Sequence, residues 1–190
     1  MNPFSDRRGM LMSSLMASLL VACGPEQAPA ADVKASERSE VTTLAQALTG
    51  DVPVSLVNRG SGRCMDISGS NMKNGAALQL WDCVGTTNQK FTLRPDGAGY
   101  YSIVAQHSGH CLDVAAFNYQ KGAALQQWVC LGGENQKFAL VDLGTGYYNI
   151  RPKPSSGLVS LAYNYNWDNG AIILLGTSTT STANEFRLAL

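Results

Sequence analysis

The chain has 190 residues, with 14 Lys/Arg against 14 Asp/Glu and a formal net charge of zero. From Asp51 onward ten basic residues stand against nine acidic ones with no long run of either sign, which excludes nucleic acid and anionic lipid as the main ligand of that part. Gly and Asn are frequent and no long helical apolar period stands out after residue 50, so the composition favours an all-β body of about 140 residues, ample for one core.

Residues 1–23 have the layout of a secretory signal. Arg7 and Arg8 make the positive start, and Met10 to Ala22 is an apolar run too short for a comfortable membrane span. Its end, Leu20-Val21-Ala22-Cys23, resembles the lipobox of bacterial lipoproteins. That resemblance implies lipidation of Cys23 and export to the bacterial cell envelope, at the outer membrane or cell surface. Cys23 is also the odd one of five cysteines. The alternative is an ordinary signal with an incidental Cys. Residues 24–50, rich in Ala, Pro, Ser and Glu, read as a flexible linker. Within them Val41, Leu44, Ala45 and Leu48 have the spacing of a short amphipathic helix, but the linker is the expectation taken.

The folded domain is expected over 51–190 and is organised by a repeat. Ser61 to Phe91 reads SGRCMDISGSNMKNGAALQLWDCVGTTNQKF and returns 47 residues later as SGHCLDVAAFNYQKGAALQQWVCLGGENQKF, identical at 17 of 31 positions, with a faded third copy behind it. One such copy cannot bury its apolar face alone. The copies open on strand-like segments at Val54–Val57, Tyr100–Ile103 and Tyr147–Ile150. Gly97-Ala98-Gly99 and Gly144-Thr145-Gly146 read as turns that introduce the last two, not as phosphate cradles, because no helix follows. Short strands at this spacing suggest a closed β structure with threefold pseudosymmetry.

Cys64 and Cys83 are 19 residues apart, and so are Cys111 and Cys130. In an exported chain this reads as one disulfide inside each of the first two copies. Zinc is the alternative, but no Cys-x-x-Cys pair supports it. If the paired cysteines face each other on antiparallel strands, Asp66 stands opposite Trp81 and Ser68 opposite Gln79. In the second copy Asp113 then stands opposite Trp128 and Ala115 opposite Gln126. Each carboxylate would lie within about 5 Å of its indole at Cβ.

The pattern Cys-x-Asp, then Gln-x-Trp-x-Cys, then Asn-Gln-x-Phe resembles the ricin B-type lectin repeat over roughly Val52 to Leu190. The resemblance implies a β-trefoil of three copies of one sugar-binding unit. It also implies that Asp66 accepts hydrogen bonds from sugar hydroxyls, Trp81 stacks on the C–H face of the ring, Asn88 bonds a hydroxyl, and Gln79 and Gln89 complete or support the pocket. In the second copy the same roles fall on Asp113, Trp128, Asn135, Gln126 and Gln136. Phe91 and Phe138 occupy a place where the family usually has a core Trp, and are expected to be structural. Phe117 and Tyr119 stand where the first copy has Ser70 and Met72, and either widen the second pocket or pack on the surface.

The chemistry fits apart from the family. A sugar offers neighbouring hydroxyls and a patch of C–H, so a site needs planar polar groups beside an exposed aromatic ring. The competing reading makes the aspartates turn caps and the tryptophans core. The third copy bears on the choice: aligned with one extra residue throughout, its five site positions become Leu161, Leu174, Gly176, Ala183 and Asn184, and its cysteine positions Val159 and Ser178. That third site is expected to be dead. His107 and His110 make a poor metal site beside a disulfide, no nucleophile elbow or metal cluster is present, and Asp66 and Asp113 sit on separate copies. The expectation is a non-catalytic glycan- or polysaccharide-binding protein with no cofactor and no metal. The alternative is a delivery or scaffolding subunit similar to the ricin-like subunits of cytolethal distending toxins, acting with a protein partner.

Overall fold

Three copies of a four-strand unit close on one another around a pseudo-threefold axis in a computed structural model. It describes residues 39, 41–42, 44–50, 52–161, 167–176 and 181–190, so the signal segment and Cys23 lie outside the described residues. The barrel is made by the first and last strand of each copy: β1 (Ser55–Asn58), β4 (Phe91–Pro95), β5 (Tyr101–Ala105), β8 (Phe138–Asp142), β9 (Tyr148–Pro152) and β12 (Glu185–Ala189). Antiparallel ladders run β1–β12–β9–β8–β5–β4, and the bridge from Val54 to Phe91 closes the ring. Three hairpins cap one end: β2 (Cys64–Ile67) with β3 (Leu78–Trp81), β6 (Cys111–Val114) with β7 (Leu125–Trp128), and β10 (Leu158–Leu161) with β11 (Ala171–Gly176). Each hairpin touches the next through Ala77–Gln126, Ala124–Leu174 and Ile172–Gln79. This is a β-trefoil, as the repeat length and resemblance led one to expect.

The core follows from the repeat. Residues at equal places in the three copies meet around the axis: Leu56, Ile103 and Ile150; Met65, Leu112 and Val159; Leu78, Leu125 and Ile173; Phe91, Phe138 and Phe186. Nearly all are fully excluded from solvent. Alternation along each strand sends one face into this core and leaves the other for loops and site. The Gly-x-Gly segments are turns as expected: Asp96 Oδ1 accepts from the Ala98 and Tyr100 amides at 2.9 and 3.2 Å, and Gly97 and Gly99 both take φ +81° between β4 and β5.

The linker expectation needs correction at its C-terminal end. Residues 44–48 are helical, Ala47 is buried in the core cluster, and Leu48 packs against it. Leu44, Ala47 and Leu48 share one helical face, and burial on the barrel rewards an order that composition alone did not favour. Gly50, at φ +84°, ends this turn within 3.0 Å of the Leu93 carbonyl, measured from where a Cβ would stand. A side chain there would meet both the strained φ and the Leu93 backbone.

Both expected disulfides are present, Cys64–Cys83 and Cys111–Cys130, each with Cα atoms 5.1 Å apart. Each contributes about 3 kcal/mol in the chain-entropy model.

Candidate functional site

The hairpin register differs from the expected one by two residues. Asp66 stands opposite Gln79, and Trp81 opposite Cys64; in the second copy Asp113 faces Gln126 and Trp128 faces Cys111. The expectation had the cysteines facing each other on the ladder. Instead the strand ends at Trp81, and Cys83 reaches back to Cys64 from beyond it. Asp66 and Trp81 are thus diagonal neighbours and still line one cleft of about 340 Å³ with Ser68, Ser70, Gln79 and Asn88.

The second half of the site comes from a short 3₁₀ turn, Thr87–Gln89, which places Asn88 and Gln89 under Asp66. Asp66 is buried, and three amides hold its carboxylate. Gln79 Nε2 donates to Oδ1 at 2.9 Å, while Asn88 Nδ2 and Gln89 Nε2 donate to Oδ2 at 2.8 and 3.0 Å. The second copy repeats this almost to the decimal: Gln126 to Asp113 Oδ1 at 3.0 Å, Asn135 and Gln136 to Oδ2 at 2.8 and 3.0 Å.

Counting donors and acceptors tells what remains for a ligand. A carboxylate has about four lone-pair sites, and three are taken. Asn88 Nδ2 also donates to the Ile67 carbonyl at 3.1 Å, so its hydrogens are spent and its Oδ1 is the atom it can offer. Gln89 is fully engaged: Nε2 donates to Asp66 and to the Asp82 carbonyl, and Oε1 accepts from the Val84 amide at 2.9 Å. It supports the cleft from beneath and does not line it. Gln136 is held the same way by Asp113 and the Val129 carbonyl through Nε2 and by the Leu131 and Gly132 amides through Oε1, though it borders the second cleft. Among the described residues, Gln79 and Gln126 bond through their side chains only to Asp66 and Asp113, which leaves each an amide hydrogen and an oxygen for a ligand. Above this polar floor stand the indoles, Trp81 39% and Trp128 36% exposed, where core residues would be near zero. The arrangement is a fixed set of acceptors and donors beside an aromatic plane.

Some supporting residues escaped the sequence reading. Asn169 Oδ1, from the third copy, accepts from the Asp82 amide at 2.8 Å. Asn74, at the matching place in the first copy, does the same for the Val129 amide at 2.8 Å. Each of the two polar clefts is therefore steadied by the neighbouring copy. Gln127, fully buried where the other copies have Leu80 and Leu175, donates to the Asn71 and Lys73 carbonyls and ties the first copy's loop to the second. Asn74 and Asn169 hold corresponding positions in their copies, and that recurrence was the signal available for them. Gln127 breaks an apolar pattern, which was also visible.

The third copy's alignment is corrected by register. Val159, in the core, matches Met65, so Ser160 and not Leu161 takes the place of Asp66, and Leu158 and not Val159 that of Cys64. Ser160 faces Leu174 as Asp66 faces Gln79, and Leu174, Gly176, Ala183 and Asn184 hold the remaining positions as expected. The extra residue falls after β10, between Leu161 and Gly170, rather than before it. With Ser160, Leu174 and Gly176 at the Asp, Gln and Trp positions and a buried Ala183 at the Asn position, the third copy keeps the scaffold without that polar and aromatic set.

The two polar clefts are not identical. The second is larger, about 550 Å³, and where the first has Ser68, Ser70, Val84 and Thr86 it has Ala115, Phe117, Leu131 and Gly133. Its loop runs through left-handed backbone at Ala116 and Phe117, φ +53° and +54°, where the first copy has Gly69 and Ser70. For non-glycine residues, and for an aromatic above all, such backbone costs on the order of 1–3 kcal/mol each.

The family model described as "Ricin-type beta-trefoil lectin domain-like" matches residues 43–128 and 87–176. Among solved structures, the designed threefold-symmetric protein ThreeFoil is 33% identical with a TM-score of 0.70, covering 73% of this chain and 98% of that one. The exo-beta-1,3-galactanase 1,3Gal43A from Clostridium thermocellum is 30% identical at a TM-score of 0.70, over 73% of this chain and 30% of that one. Serine protease 1 of Rarobacter faecitabidus is 42% identical over 47 residues, 25% of this chain and only 9% of the protease. Fold, twin clefts and family match agree, and the chain belongs to the ricin-type β-trefoil lectin-domain-like family.

Proposed function

We propose that this chain is a non-catalytic carbohydrate-binding protein that recognises galactose-like residues of glycans through two sites, one at Asp66 and Trp81, the other at Asp113 and Trp128. One observation carries the reading: the same carboxylate–amide cluster is built twice under a half-exposed indole, while the third copy has neither part. A pyranose ring stacks its C–H face on the indole and offers two hydroxyls to the fixed acceptors at the cleft floor. The similarity to a galactanase supports the galactose-like choice. Each shallow site binds weakly, and two on one body gain by avidity on dense glycans.

The test uses the tryptophans, because they stand partly exposed at the clefts and outside the apolar core. Trp81→Ala combined with Trp128→Ala is expected to abolish glycan-array binding and galactose titration while the chain still unfolds in one cooperative transition. Retained binding in a folded double variant would sink the assignment. We further propose that Cys23 is acylated and anchors the protein to the bacterial envelope. Metabolic labelling with a palmitate analogue should mark the chain and fail on Cys23→Ser; labelling that survives this change ends that proposal.

A further inference from the structure

We propose that the second site is an extended subsite that takes two linked pyranose rings, with Phe117 as the platform for the second ring, whereas the first site takes one. This rests on the carbohydrate reading above and adds to it a difference between the sites. The polar floor is the same in both, so each offers one ring the same hydroxyl contacts. What differs lies beside the floor. Phe117 is 61% exposed and Leu131 74% exposed, yet both line the same cleft as Trp128. In the first site the same positions carry Ser70 and Val84.

Phe117 is not merely a surface side chain. Its ring lies 3.8 Å from where a Cβ on Gly133 would stand, and Gly133 replaces the Thr86 of the first copy. That is ordinary contact across the cleft, while Asn135 Oδ1, 2.6 Å from the same point, is what keeps Gly133 small. The aromatic sits at a left-handed φ of +54° that its sister copy fills with Ser70 at +49°, an arrangement unfavourable for an aromatic in folding alone and found where a side chain serves a ligand. A second aromatic ring lining the same cleft as the indole offers a face for the C–H patch of a neighbouring sugar in the same chain. A free monosaccharide would leave it uncovered.

The experiment reads each site separately in the whole chain. Only three tryptophans are present, Trp81, Trp128 and Trp167, so their indole N–H signals in a ¹⁵N-correlated spectrum report the two sites individually and a third position as control. Methyl β-galactoside is titrated beside a set of galactobioses of different linkage. At Trp128 at least one galactobiose is expected to bind about tenfold more tightly than the methyl glycoside, the gain of one added stacking contact. At Trp81 the two should be nearly equal. Phe117→Ser, which copies the residue tolerated at Ser70, should bring the ratio at Trp128 down to that at Trp81, and Phe117→Tyr should keep it. Equal ratios at both sites, or a ratio at Trp128 indifferent to Phe117→Ser, overturns the inference while leaving the carbohydrate reading standing. No response of either indole to any saccharide removes that reading and the inference together.

Discussion

Phe138→Ala is expected to destabilise the protein by about 3–5 kcal/mol, seen as a lower denaturant midpoint in urea. Phe138 is fully buried and begins β8, with Phe91 and Phe186 at the same place in β4 and β12. Three rings around one axis fill the barrel, and no neighbour can collapse inward without moving a strand that is paired on both sides. Small domains are stable by only about 5–15 kcal/mol, so this one truncation removes a large part of the total. The half-exposed Trp128 gives the contrast. Its removal should cost binding and less stability than Phe138→Ala, because over a third of its surface is already in solvent and it lies outside the core cluster. A Phe138→Ala variant as stable as the wild type would mean that the repeat does not form a common core.

Most of the fold was legible because the chain states it three times. The period, the paired cysteines and the Gly-x-Gly turns each recur, and a recurring signal outweighs weak local propensity. The hairpin register was not legible, since the disulfide was taken as a ladder pair and a cysteine just past a strand end satisfies the same spacing as one on it. The slip of two residues left Asp66 and Trp81 on one cleft, because side chains repeat with period two. In the third copy the slip was of one residue, which turns a side chain to the opposite face; Leu161 was thereby assigned a place that Ser160 holds. The pairing of Ser160 with Leu174, with Val159 in the core cluster at the place of Met65, distinguishes the two alignments. The helical turn at 44–48 was missed for another reason: its stabilisation comes from a barrel surface that is distant in sequence.

Asp66→Ala is expected to cost about 3–6 kcal/mol of stability as well as the first site's binding, so loss of binding in that variant does not by itself separate ligand contact from folding. The reason is the cluster beneath it. The carboxylate receives the amides of Gln79, Asn88 and Gln89 in a buried setting. Hydrogen bonds to a charged group are worth about 1.5–3 kcal/mol each, and an abandoned buried donor costs about 1–3 kcal/mol. Part of this is recovered, because Asn88 and Gln89 keep their bonds to the Ile67 and Asp82 carbonyls. Gln89 also holds the Val84 amide, so disturbing it loosens the segment after Cys83 that walls the cleft. The aspartate is therefore framework as well as part of the proposed binding face. Urea unfolding of Asp66→Ala beside Trp81→Ala distinguishes them: loss of binding in both, with the larger drop in midpoint for the first, is the expected pair. Equal, small drops would mean that the amide cluster contributes nothing to folding and that the carboxylate is held in place for the ligand alone.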